Sequence, residues 1–171
     1  VMIDATSASG TCDLRADETS PRVLIVEDEL LVAWHLESLM RDQHLEMCGL
    51  VPDGQGAIEQ AADLDVDLIL MDMYMPDCNG MELARIIRQQ RLMDGIPILF
   101  LSVEKRQSIQ LDTLTLGIDG FLTKPVAPEE LVVTVINRAR RYRKLRSYII
   151  NDSLTGLLNH SHLYAQLEYE V

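Results

Sequence analysis

The stretch Asp67-Leu68-Ile69-Leu70-Met71-Asp72-Met73-Tyr74-Met75-Pro76 decides the fold. Leu68 to Met71 are apolar without alternation and are flanked by acids, the pattern of a short strand buried on both faces. The strand stops at Asp72, and Pro76 and Gly80 force a loop before the next helix begins. A strand of this kind belongs to a parallel sheet with helices on either side. A carboxylate at its C-terminal end lies where open α/β sheets place their chemistry. Taken alone, Asp72 reads equally as such a group or as a turn cap.

Outward from this strand the chain alternates. Val23 to Val26 is a β-branched strand ending on Glu27-Asp28-Glu29, followed by a helix over Leu30 to Gln43 whose apolar stripe includes Leu31, Trp34 and Leu39. Leu45 to Val51 is a weaker strand broken by Pro52-Asp53-Gly54, and Gln55 to Ala62 is a short helix. Beyond the central strand come a helix over Met81 to Gln90, a strand over Ile96 to Leu101 stopping at Ser102, and a helix over about 107–116 closed by Gly117. Gly120 to Leu122 is a brief strand before Thr123-Lys124-Pro125, and Pro128 stands in the first turn of a long helix from Glu129. Strands and helices in strict alternation predict an α/β, doubly wound fold on a five-stranded parallel sheet with an extended C-terminal helix.

Residues 1–20 are rich in Ser, Thr, Asp and Ala and read as a flexible N-terminal segment. Val1 in place of an initiating Met leads us to expect a piece of a longer protein. A net charge of −12 argues against a nucleic-acid binder. The three cysteines are widely spaced, without the spacing of a disulfide framework or a zinc site. No apolar run approaches a membrane span and no signal peptide opens the chain, so a cytoplasmic protein without membrane partners is expected.

A parallel sheet brings its strand C-termini to one edge. Glu27, Asp28, Asp72, Ser102 and Lys124, scattered along the chain, would thus share a rim. Three carboxylates together repel strongly, and Lys124 offsets only one of their charges. A divalent cation with oxygen ligands would neutralise the rest, and Mg2+ is the natural candidate. Such a site attracts a phosphoryl group, with Lys124 and Ser102 sharing its oxygens and Asp72 as nucleophile.

These residues, with Phe121 and the Asp72-to-Gly80 loop, resemble the receiver domain of bacterial response regulators over residues 21–142. The resemblance implies a flavodoxin-like (βα)5 fold and phosphorylation of Asp72 by a sensor histidine kinase or phosphotransfer protein. It implies Mg2+ held by Glu27, Asp28, Asp72 and the backbone carbonyl of Tyr74. Ser102 would hydrogen-bond the phosphoryl group, Phe121 would turn inward on activation, and the peptide before Pro125 would be cis. Haloacid-dehalogenase-like phosphatases also use a strand-end aspartate, but they need a second acid two residues later, where this chain has Tyr74. A receiver that docks or dimerises without phosphate is the other reading.

The last helix continues past 142 as a helical linker over 143–152. Val132, Val135, Ala139, Tyr142, Leu145 or Arg146, and Ile149 follow the spacing of a coiled-coil seam, and the surrounding arginines read as a solvated face. A homodimer through this helix and the face formed by the predicted helix at 107–116, the last strand and the last helix is expected. Residues Asn151 to Asn159 then resemble the Asp-x-Leu-Thr-Gly-Leu-x-Asn opening of GGDEF domains, the diguanylate cyclases that make cyclic di-GMP from GTP. That resemblance implies guanine recognition by Asn159 and Glu168, with His160 where an Arg is more usual. It makes 153–171 the start of a cyclase domain, active or degenerate in the longer protein. The fragment itself is expected to have no cyclase activity.

Overall fold

The computed structural model describes residues 20–150 except 77, 92 and 104–117, with the backbone alone at 149 and 150. Its strands are β1 (Arg22–Val26), β2 (Glu46–Val51), β3 (Leu68–Asp72), β4 (Ile98–Ser102) and β5 (Gly120–Thr123). The helices are α1 (Leu30–Arg41), α2 (Gly54–Asp63), α3 (Gly80–Gln89) and α4 (Pro128–Ile150). One five-stranded sheet runs in the order β2-β1-β3-β4-β5, with every pairing parallel. This is the doubly wound arrangement expected. The predicted helix at 107–116, the N-terminal segment before Ser20 and the 151–171 motif with Asn159 and Glu168 lie outside the described residues.

Alternate residues of β3 face opposite layers. Ile69 and Met71 join Leu24, Val26, Ile98 and Phe100 against Ala57, Ala61, Leu83 and Ile87 of α2 and α3. Leu68 and Leu70 join Val23, Ile25, Leu99 and Leu101 against Leu36 and Met40 of α1 and Leu131, Val135 and Ala139 of α4. Helices on both faces explain why the central strands are apolar throughout. Two loop residues start helices in the usual way: the Asp53 carboxylate accepts from Gly56 N–H at 2.7 Å, and the Asn79 side chain accepts from Met81 N–H at 2.9 Å. Strand β4 begins at Ile98 instead of Ile96, because Pro97 has no N–H to donate to a ladder; its carbonyl still accepts from Ile69 N–H at 2.9 Å.

Two apolar stripes differ from expectation. On α1 the buried residues are Ala33, Leu36 and Met40, with Val32 and the expected Leu39 partly buried against the same core, while Leu31 and Trp34 are 78% and 54% exposed. The helix is apolar on more than one side, so spacing alone could not choose the inward face. On α4, Val135 and Ala139 are buried against the domain's own sheet, Val132 is buried too, and Tyr142 packs on the α2–α3 side cluster. This stretch of the proposed coiled-coil seam is therefore an intramolecular core face; an amphipathic stripe does not specify what covers it. No helix among the described residues is long and apolar enough to cross a membrane.

Candidate functional site

Register brings the strand ends level. Val26 pairs with Met71, Asp72 with Leu101, and Ser102 with Thr123, so the residues that follow or close these strands meet at one edge. Glu27 turns inward and is 2% exposed, whereas Asp28 and Asp72 are half-buried. Carboxylate oxygens of Glu27, Asp28 and Asp72 lie within 4.8 Å of one another. Lys124 reaches over the cluster from the end of β5: its Nζ donates to Glu27 Oε2 and to Asp72 Oδ2, each at 3.0 Å.

The electrostatics follow from burial and crowding. Burial pushes the Glu27 carboxyl upward and the Asp72 charge adds to this; the Lys124 hydrogen bond opposes it without cancelling it. Burial alone would lower the Lys124 ammonium, but hydrogen bonds and charges from Asp72 and Glu27 outweigh it and hold the group above its ordinary value. Three carboxylates against one ammonium leave two negative charges unmatched within the cluster. An all-oxygen donor set with that charge fits a hard divalent cation.

The supporting backbone is tight. Met73 N–H donates to Leu101 O at 2.9 Å, which carries the β3 ladder one residue past Asp72. Tyr74 N–H approaches Asp72 Oδ1 at 3.4 Å, and Tyr74 forms an isolated antiparallel bridge with Asn79 that closes the loop. Gly80 N–H donates to Met73 O at 3.0 Å. A Cβ on Gly80 would stand 2.8 Å from Asp72 O and 3.1 Å from Met73 Cα, so only glycine lets α3 start so close to the aspartate. The sequence reading took Gly80 as a loop former and missed this steric role, for which no sequence signal exists beyond the residue itself.

Ser102 is fully buried at the end of β4, and its carbonyl accepts from Lys124 N–H at 2.7 Å. The Lys124–Pro125 peptide is cis. Phe121 lies in register with Phe100, half-buried against the α2–α3 side core. Thus Glu27, Asp28, Asp72 and Lys124 converge directly, Ser102 and Tyr74 flank them through the backbone, and Phe121 sits further along β5. The sequence reading also missed the exposed Leu30, Leu31 and Trp34, which stand on the first turns of α1 directly after Glu27-Asp28-Glu29.

Known proteins share this architecture. A sequence model of the response regulator receiver domain matches residues 23–136. The DNA-binding response regulator MtrA of Mycobacterium tuberculosis is 30% identical over 125 residues, which make up 73% of this chain and 53% of MtrA. The chain spans 53% of the length of MtrA and 9% of that of hybrid signal transduction histidine kinase D of Dictyostelium discoideum, another curated relative. Among solved structures, the receiver domain of sensor histidine kinase PA1611 from Pseudomonas aeruginosa PAO1, with a magnesium ion in its active site cleft, is 28% identical. It superposes with a TM-score of 0.64 and covers 70% of this chain and 98% of that one. The signal receiver domain of a modulated diguanylate cyclase from Desulfovibrio desulfuricans G20 is 27% identical with a TM-score of 0.64, covering 74% of this chain and 98% of that one.

Proposed function

The chain belongs to the response regulator receiver domain family, and from that premise we propose that it is a phosphoacceptor switch of a two-component system, phosphorylated on Asp72. The observation that carries this reading is the cluster itself: Lys124 Nζ joined to both Glu27 and Asp72, with Asp28 completing the oxygen set. Glu27, Asp28, Asp72 and the Tyr74 carbonyl would hold Mg2+. When bound, the ion neutralises charge on the incoming phosphoryl oxygens.

Asp72 presents an oxygen to phosphorus in line with the donor's leaving atom. The new bond is Asp72 O–P, and the bond that breaks is N–P of a phosphohistidine or O–P of an acyl phosphate. A leaving imidazole takes up a proton from solvent. Lys124 is already within 3.0 Å of Asp72 Oδ2 and passes its hydrogen bond to a phosphoryl oxygen as the carboxylate becomes an acyl phosphate. Ser102 turns its hydroxyl to another phosphoryl oxygen, and Phe121 moves inward into the space this opens.

A sensor histidine kinase or phosphotransfer protein is the proposed donor. The three exposed apolar residues of α1 beside the rim suit a protein donor better than a small phosphoester. Residues 21–142 form the receiver, 143–152 a helical linker, and 153–171 the start of a diguanylate cyclase output. The motif from Asn151 to Asn159 supports that output, as does the receiver of a modulated diguanylate cyclase among the similar structures. A phosphorylation-driven homodimer would bring two outputs together through β5, α4 and the segment between Ser102 and Gly120. Because the α4 stripe up to Ala139 is covered by the domain itself, helix contacts in that dimer would begin at Leu145 and Tyr148.

The test is phosphoryl labelling from acetyl phosphate. Wild type incorporates label only with Mg2+ present, and Asp72→Asn incorporates none. Persistent labelling of the variant would sink the assignment. Failure of the wild type to take up label or to bind a beryllofluoride mimic would favour the docking-only reading.

A further inference from the structure

Helix α4 leaves the domain through charge contacts that the phosphoacceptor chemistry does not use. Arg143 Nη2 pairs with Asp67 Oδ2 and donates to Ser20 O at 3.0 Å. Asp67 is 2% exposed and is tied in on two further sides: its carboxylate accepts from Arg22 N–H and its own N–H donates to Arg22 O, both at 2.8 Å. One turn later Arg146 Nη1 pairs with Asp65 Oδ1. The Tyr142 ring packs beside Gly95, against the core on the α2–α3 side of the sheet. All these contacts lie at the start of β1 and β3, the edge opposite Asp72.

We propose that Asp67–Arg143 and Asp65–Arg146 form a two-stage clasp that holds the exit helix against the sheet and sets where the domain ends and an independently moving helix begins. The two stages differ in solvation. The Arg143 and Asp67 side chains are 18% and 2% exposed, so salt screens them little. The Arg146 and Asp65 side chains are 37% and 59% exposed, so their attraction is weak and salt-sensitive. The outer pair therefore opens first and frees the helix from Arg146 onward, while Tyr142 and the inner pair still hold the preceding turn. Tyr148, already 64% exposed, then rides on a helix free to change direction. Strand β3 begins directly after the inner aspartate and ends at Asp72, so clasp and candidate phosphoacceptor stand at the two ends of one buried strand. This proposal does not depend on the phosphoacceptor reading.

Residue-resolved hydrogen exchange on the full chain tests it. Arg146→Gln is expected to speed exchange at the amides of 146–148 by about threefold, the scale of an exposed ion pair, with no change in β3. Arg143→Gln extends the faster exchange to 143–145 and raises it about tenfold, because it breaks the buried pair. Raising salt to about 1 M reproduces the Arg146→Gln effect in the wild type and adds nothing in the variant. The swapped pair Asp65→Arg with Arg146→Asp restores protection at low salt. Asp67 is left intact, since its bonds to Arg22 hold the start of the sheet. Unchanged exchange at 146–148 in Arg146→Gln overturns the proposal. So does acceleration spread evenly through β1 and β3, or failure of the swapped pair to restore protection. Should Arg143→Gln fail to fold, Arg146→Gln and the swap still decide the outcome.

Discussion

Lys124 illustrates what a single side chain does here and why the sequence alone does not reveal it. In the chain it is a lysine before a proline; in the fold its Nζ joins Glu27, 97 residues away, to Asp72, 52 residues away. Its raised pKa records that two anionic partners more than offset its burial. Tyr142 is the opposite case, a tyrosine that the periodicity assigned to a seam and that burial has turned into a core residue. Burial lifts its phenol above the ordinary value; nearby Arg146 opposes this, while Asp67 and Asp65 add to it. The folded chain therefore holds this proton more tightly than the unfolded one. The stability so contributed is complete below the ordinary tyrosine pKa and is lost as pH rises through the folded value. An alkaline titration followed by tyrosinate absorbance should show a late component that Tyr142→Phe removes. An identical titration in the variant would rule out the buried phenol.

At the scale of elements, the join between β3 and α3 is the most constrained part of the site. Gly80 opens α3 with its missing Cβ turned toward Asp72 O, Met73 Cα and the Phe100 ring, and two of these three are backbone atoms that cannot step aside. Gly80→Ala should destabilise the fold by about 1–3 kcal/mol through overpacking. It should also slow Asp72 labelling, because the aspartate would shift with its carbonyl. Gly95→Ala is the control: its Cβ would meet only Tyr142 Cε2, at an ordinary 3.5 Å, and it should leave thermal stability and labelling nearly unchanged. Equal melting temperatures for the two variants would refute the steric account. Helix α1 shows the limit of pattern reading at this scale. Its apolar residues at 30, 31 and 34 outnumber what one packed face needs, and the face laid on the sheet is Ala33, Leu36 and Met40 with Val32 and Leu39 at its margins.

For the whole molecule, the consequence of that misassigned face is a surface. Leu30, Leu31 and Trp34 stand exposed at the end of the molecule that carries the carboxylates, where the proposed phosphoryl donor would dock. Trp34→Ala should slow phosphotransfer from a cognate histidine kinase about tenfold, within the range for an exposed aromatic anchor in a protein contact. Labelling from acetyl phosphate should stay at the wild-type rate, since the side-chain bonds that join Glu27 and Asp72 run through Lys124. If both rates fall together, Trp34 supports the site and not the encounter. Opposite this surface the exit helix pairs with Asp67 and Asp65 at the base of the sheet, so the carboxylate cluster and the exit helix occupy the two ends of the parallel strands.

Legible in the chain alone were the order of the described elements, the parallel sheet and the residues gathered at its edge. A short unalternating apolar run bounded by turn residues, such as Leu68–Met71, suits a strand covered on both faces, and strand ends in a parallel sheet share an edge whatever the loops between them. Which apolar faces are covered, and by what, was decided only by tertiary structure. The stripe of α4 through Ala139 could have served a partner helix as well as its own sheet, and Trp34 could have faced in or out. Helical spacing records that a face is apolar, while the packed volume of neighbouring elements decides what lies against it. The same holds for Asp72. Its position at a strand end was legible from the chain, but the Lys124 bridge, the buried Glu27 and the room that Gly80 leaves beside it exist only once distant segments are packed together.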